Sequence, residues 1–239
     1  TVDFPTGKQT YVLKGKISTD FDNDTLIAAS TTPNTDWTSI TGDVSGASIT
    51  AANTGTVTGP SMTVKRAAVI IALASTPTSQ KVIRGAQGFT FANIIFDSGS
   101  SGEDVRFTSA QVQYDAAVAA DLTNCALYDG TKALNTGTNI QNPSTTGDKT
   151  FTLDNNLTIT KATSKTVALK CDISKSSTGD YAQWSFSSNE TFGATGLTSG
   201  SSVTPGVASS SATTAKFTLT GTGTLAITLD PSSPSIALA

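Results

Sequence analysis

Residues 10–18, TYVLKGKIS, return 156 residues further along as residues 166–174, TVALKCDIS, with the apolar positions and the Leu-Lys pair coinciding. A second stretch, residues 41–50 (TGDVSGASIT), returns 154 residues on as 195–204 (TGLTSGSSVT). A third, weaker pair aligns 69–73, followed by Pro77, with 225–229, followed by Pro231 and Pro234. Matches in the same order at nearly one spacing predict a chain built on a unit of about 155 residues. A length of 239 residues then holds more than one unit and less than two. Residues 1–63 read as the later strands of one module and 64–215 as one complete module. The tail, 216–239, reads as the opening strand of a further module or a connector strand between subunits.

The fold class follows from the palette and from alternation. Thr and Ser make up roughly three residues in ten, there are 20 glycines and a single methionine, and helix formers are scarce. Apolar patterning, in most places alternating, together with bounding turn residues marks strands over 68–74, 89–96, 105–114, 124–128, 132–135, 150–153, 157–160, 165–174 and 181–187. Short strands at this spacing predict an all-β sandwich. The pair Asp129-Gly130 signals a two-residue hairpin, because such a turn demands positive φ that glycine tolerates. Within 105–114 the apolar phase moves from Val105 and Phe107 to Val112 and Tyr114, which predicts a β-bulge near Ser109. Residues 116–122 are the one helix candidate, a turn or two long.

Chemistry is constrained by what is missing. The chain has no histidine, which removes the commonest general base and a leading transition-metal ligand. Glu103 and Glu190 are the only glutamates, no Ser-x-x-Lys pattern occurs, and the glycine-rich stretches 98–102 and 196–206 lack the lysine of a phosphate loop. No enzyme is expected. A net charge of −3 with only Lys65-Arg66 as a basic pair argues against nucleic acid as a partner and leaves protein or glycan. The longest apolar run, 67–74, is far short of a membrane span, so no transmembrane segment is expected. The chain opens at Thr1 instead of methionine, which points either to a removed leader or to a piece of a longer polypeptide.

Three groups of residues are candidates for a role. Cys125 shares a strand face with Leu127, and Cys171 shares one with Val167, Leu169 and Ile173, so both thiols point to the core. They are either two buried free cysteines or a disulfide across the sandwich in facing or neighbouring strands, and the bridge would imply an oxidising, extracellular setting. Asp20, Asp22 and Asp24 alternate beside Asn23 in a stretch like the opening of a calcium loop. It lacks that loop's glycine and closing glutamate, so a solvated acidic turn is the competing reading. No other cofactor is indicated. Trp37, and Trp184 with Phe186, are aromatics able to stack on a sugar ring or to fill a sandwich core.

The succession GAQGFTF at 85–91, GEDVRFTS at 102–109, LTNCALYDG at 122–130 and KTVALKCDIS at 165–174 resembles repeats in large secreted surface proteins of candidate-phyla (patescibacterial) bacteria. That resemblance covers most of the complete module. It implies tandem Ig-like β-sandwiches in S-layer-like or adhesin-like chains and carries no catalytic residue. This sequence departs from the pattern in its cysteines, where such repeats more often have small or branched apolar residues. The implied function is a non-enzymatic structural component of an extracellular surface layer or filament at the cell surface. The alternative is an adhesin or glycan-binding module with a glycan or host-surface ligand. A chain out of register with its own repeat is further expected to self-associate head to tail. The tail 216–239 of one subunit would add to the first lobe of the next and give an open polymer, or the same docking would occur within one longer polypeptide.

Overall fold

The computed structural model describes residues 2–18, 21–52, 54–187, 189–208, 211–213, 215–221 and 228. The chain divides into two compact units, Thr1–Arg66 and Ala67–Ala239. In the first, β1 (Leu26–Ile27) pairs antiparallel with β4 (Met62–Thr63), and β2 (Ser30–Thr31) pairs with β3 (Val57–Thr58). One helical turn, Pro33–Asp36, follows β2, started by a proline at its first position and tied by Asp36, whose carboxylate accepts the Thr32 N–H. None of the described residues of this unit is buried.

The second unit is a β-sandwich. Its strands are β5 (Ile70–Leu73), β6 (Lys81–Ile83), β7 (Phe89–Asp97), β8 (Val105–Ala116), β9 (Leu122–Asp129), β10 (Lys132–Ala133), β11 (Gly147–Ile159), β12 (Ser164–Ile173), β13 (Tyr181–Ser187), β14 (Phe192–Gly196), β15 (Gly206–Val207), β16 (Ser211–Thr213) and β17 (Phe217–Thr220). One sheet runs β10-β9-β12-β7-β5-β15. The other runs β11-β8-β13-β17-β6, with β14 alongside β8 and β16 alongside β13. Most neighbours are antiparallel, whereas β15 on β5 and β17 on β6 are parallel. The inner faces meet in a single core. Phe89 and Phe91 of β7 pack edge-on against Phe217 of β17, and Phe96 of β7 packs against Phe107 of β8. Such perpendicular ring pairs set the electropositive edge of one ring on the face of another, adding to the burial of each ring.

Alternation accounts for most of these strands, and the departures have local causes. Along β8 the buried residues are Val105 and Phe107, then Ala110, Val112, Tyr114 and Ala116. Thr108 is the extra residue, because Phe107 pairs with Ala194 and Ser109 with Gly193, so the bulge lies where the phase change put it. The hairpin turn sits one residue later than expected: Asp129 pairs with Lys132, leaving Gly130, at φ +62°, and Thr131 as the two loop residues. Residues 150–153 and 157–159 belong to one strand, β11, broken in register between Thr152 and Leu157. The helix candidate is reduced to a 3-10 turn at Ala119–Asp121.

Two expectations are corrected. Residues 10–18 and 166–174 do not occupy the same strand in two lobes: 166–173 lie in β12, whereas 10–18 form no strand. The reason is pairing. β12 is bonded on one edge by β7 and on the other by β9, and the described residues of the first unit supply neither neighbour. The tail is also not wholly a connector, since Phe217–Thr220 closes the sandwich between β13 and β6 with Phe217 and Leu219 in the core. Of the 225–229 stretch, all but Thr228 lies outside the described residues, as do Pro231 and Pro234.

Candidate functional site

Cys125 and Cys171 form a disulfide with Cα atoms 4.0 Å apart, both side chains fully buried. It joins β9 to β12 within one sheet and does not cross the sandwich, because these strands are direct neighbours. The positive φ of Asn124 marks the register break between Lys170 and Asp172 that sets the two cysteines against each other. Asp20 lies outside the described residues. Asp24 forms an ion pair with Lys65, while Asn23 accepts the Arg66 N–H at 2.9 Å and donates to Asp24 at 2.9 Å. Asp24 and Asn23 are therefore engaged by the Lys65-Arg66 pair. Among the described residues no group of three His, Cys, Asp or Glu converges as a metal site.

Trp184 and Phe186 are core residues: Trp184 packs on Tyr114 and Phe151. Burial, then the charges of Asp121 and Asp115, drives the Tyr114 hydroxyl well above its ordinary range. Trp37 differs. It is 46 % exposed, stacks on Phe4 with ring centres 6.0 Å apart, and donates its indole N–H to Thr31 at 3.0 Å. A shallow depression lined by Ser75, Thr76, Pro77, Thr78, Ser79 and Phe91 has hydroxyls but no acid or base. No helix among the described residues is long and apolar enough to cross a membrane.

The most organised polar arrangement is the repeated turn within 195–204, held by a carboxylate that the sequence does not signal. After β14 the chain reverses over 196–200, with Gly200 at φ +70° donating to the Gly196 carbonyl at 3.0 Å and the Gly196 N–H returning to Ser201 at 2.9 Å. This leaves two N–H groups and a hydroxyl pointing outward together. Glu103, just before β8, fills them: its carboxylate accepts the Thr198 N–H at 2.6 Å, the Ser199 N–H at 2.8 Å and the Ser199 hydroxyl at 2.6 Å. The neighbouring Leu197 N–H donates to the Asp104 carbonyl at 2.9 Å. Gly196 leaves room for this carboxylate, since a Cβ there would lie 2.6 Å from the Glu103 Cδ and displace it. Burial pushes the Glu103 carboxyl up, and the bonds from the Ser199 hydroxyl, the Ser199 N–H and the Thr198 N–H outweigh it, holding the group below its ordinary value of 4.5. No local signal ties Glu103 to a turn more than ninety residues away, so only the fold brings them together.

The first unit contains the same turn without the carboxylate. Thr41 bridges Ser48 as Thr195 bridges Ser202. Gly46, at φ +64°, donates to Gly42 at 2.7 Å, Gly42 to Ala47 at 2.8 Å and Ile49 to Ile40 at 2.8 Å, each matching a bond 154 residues later. The Ala47 N–H bonds the Ser45 hydroxyl at 3.2 Å as Ser201 bonds Ser199 at 3.1 Å. Strand registers correspond as well, at an interval of 155. Leu26 and Ile27 pair with Thr63 and Met62 as Tyr181 and Ala182 pair with Thr218 and Phe217. Ser30 and Thr31 pair with Thr58 and Val57 as Ser185 and Phe186 pair with Thr213 and Ala212. Even the Val64 N–H on the Thr25 carbonyl has its counterpart in Leu219 on Asp180.

Burial separates the two. Met62 is 59 % exposed where Phe217 is fully buried, and Ile49 is 49 % exposed where Val203 is at 6 %. Beside Val44 and Ser45 no described residue accepts either N–H, and Ser45 Oγ itself leans to 2.6 Å from where a Cβ of Gly42 would stand.

No protein-family model matches the chain, and no curated protein matches it in sequence. Among solved structures, the seventh ScaB type I cohesin from Pseudobacteroides cellulosolvens aligns with 68 % of this chain and 99 % of its own length, at 13 % identity and a TM-score of 0.34. That likeness is too slight to carry anything about function.

Proposed function

We propose that this chain is a non-enzymatic structural component of an extracellular surface assembly, a layer or filament, built from Ig-like sandwich modules that repeat about every 155 residues. The observation that supports it is the doubled set of registers and turn bonds, accompanied in the first unit by apolar residues left in solvent: Leu26, Ile49, Val57 and Met62. Half of a sandwich presents open strand edges, and these are met by strands from elsewhere, so modules join by strand complementation into an open chain. The buried Cys125–Cys171 bridge supports an oxidising, extracellular location. By its sequence, the stretch 225–229 is suited to serve as one complementing strand.

Light scattering with negative-stain microscopy tests this. The full chain should form open polymers, and deletion of residues 222–239, which spares β17, should leave monomers with an intact second unit. A full chain that stays monomeric at high concentration overturns the reading. A second reading, glycan binding, is favoured by one observation, the exposed Trp37 ring against Phe4. A glycan array with a W37A control separates it, since a purely structural chain shows no saturable sugar binding.

A further inference from the structure

We infer that the turn at 42–46 in the first unit is a receptor for a glutamate side chain, carried by a partner β-strand of β8's pattern that adds antiparallel to residues 38–42. This rests on the module reading above and names what the missing strand must bring. In the second unit β14 meets β8 with Phe192 opposite Ala110 and Gly196 opposite Val105, and Glu103 then reaches the turn two residues before that strand begins. Subtracting the interval places residues 38–42 where β14 stands, Val44 and Ser45 where Thr198 and Ser199 stand, and Asp43 where Leu197 donates to the Asp104 carbonyl. Two backbone N–H groups, of Val44 and Ser45, stand where those holding Glu103 stand, aimed by the bonds of Gly42, Gly46, Ala47 and Ile49, and the Ser45 hydroxyl, which leans over Gly42, turns aside to complete the set. Preformed backbone donors need little reorganisation to take an anion.

The occupant is neither β8 of a second copy nor a free anion. β8 is bonded along both edges within its own sandwich by β11 on one side and β13 and β14 on the other, and is not available for exchange. A small anion has no strand to anchor it, and the exposed carboxylate of Asp43, standing where the second unit has Leu197, opposes one. The partner is therefore a polypeptide strand reading Glu-x-apolar-x-apolar that is not already paired on both edges in a complete sandwich. Backbone bonds to residues 38–42 supply the affinity, and the glutamate fixes the register, since a slip of one residue turns its side chain to the other face.

The experiment uses the full chain and a labelled peptide with the sequence of residues 101–114, alongside the same peptide carrying Glu103→Gln. Anisotropy measures affinity, and hydrogen exchange reports the amides of Val44 and Ser45. Saturable binding is expected, weaker by about tenfold or more for the Gln peptide, as for loss of a charge-assisted bond. Val44 and Ser45 should be protected by the Glu peptide alone. Asp43→Asn in the chain should tighten binding by about two- to threefold at low salt by removing a like charge. Gly42→Val should remove the preference for glutamate by occupying the carboxylate's place, and the Asp43→Asn result stands even if that variant misfolds. Equal affinity for the two peptides, or unprotected Val44 and Ser45 amides, overturns the receptor while leaving strand complementation intact. No binding by either peptide also overturns it, and the polymer assay then judges the module reading by itself.

Discussion

The two units share a turn, two strand pairings and their registers, yet one has a core while none of the described residues of the other is buried. Thr195 to Ser202 and Thr41 to Ser48 follow the same path, but the first is backed by β8 and capped by Glu103 while the second faces solvent. The contrast teaches that local turn chemistry is sufficient to shape these hairpins. Glycines at φ +70° and +64° and a serine that bonds its own backbone do that work in both places. Burial is a separate matter, decided by strands distant in the chain. Turn formation and core formation are therefore independent here, and each can be perturbed without the other.

The largest difference should appear on truncating counterparts. Phe217→Ala removes a fully buried ring from a cluster with Phe89 and Phe91 and should destabilise the second unit by about 3–5 kcal/mol in denaturant unfolding. Met62→Ala, at the equivalent register position, should change stability by less than about 0.5 kcal/mol. A large Met62 effect would mean that the first unit is covered in solution.

Reducing the disulfide comes next. Cys125 and Cys171 are separated by 46 positions, and opening a loop of that size should cost about 2–4 kcal/mol. The loss should be confined to the second unit, read as a lower midpoint after reduction with no change in amide exchange over residues 24–64. Glu103→Ala should cost about 1–2 kcal/mol, because it strips three hydrogen bonds from a partly exposed carboxylate. The same variant should leave the 42–46 turn untouched, which nuclear magnetic resonance shifts of Gly42 and Gly46 would check.

The smallest effect is on pH. Glu103 is held below its ordinary value in the folded state, so its contribution is complete above pH 4.5 and is lost as pH falls through the lower folded value. Exchange protection of the Thr198 and Ser199 amides should therefore fall on acidification, with no parallel change at Val44 and Ser45. Parallel loss at both turns would show that the carboxylate is not the cause.

The sandwich was legible wherever a strand is long and half-buried. β12 alternates cleanly, β7, β8 and β13 do so over part of their length, and the phase change near Ser109 located the bulge. Strands that exist only because a neighbour holds them were invisible. β14 contains two glycines in five residues and is straightened by pairing with β8, and β6 is three residues laid parallel to β17. The reverse error occurred at 10–18, where a strand pattern identical in type to β12 forms none because the described residues of its unit supply neither neighbour. Periodicity reports which face a strand would bury, and pairing decides whether there is a strand at all. The repeated turn was visible in sequence, but its carboxylate partner was not, because Glu103 meets it only after the two sheets have assembled.

The parallel pairs at the margins of the sandwich bear on how it carries tension. β5 and β6, the first strands of the second unit, lie beside β15 and β17, two of its last three described strands, with chain direction shared in each pair. When such a chain is drawn from both sides, the early strand is pulled toward its start and the late strand toward its finish, so the two slide past each other lengthwise. All the backbone bonds of a pair are then loaded at once and must fail together. In an antiparallel hairpin pulled from its two ends they would give way one after another. Resistance of this sort is kinetic, set by the barrier to unfolding more than by equilibrium stability.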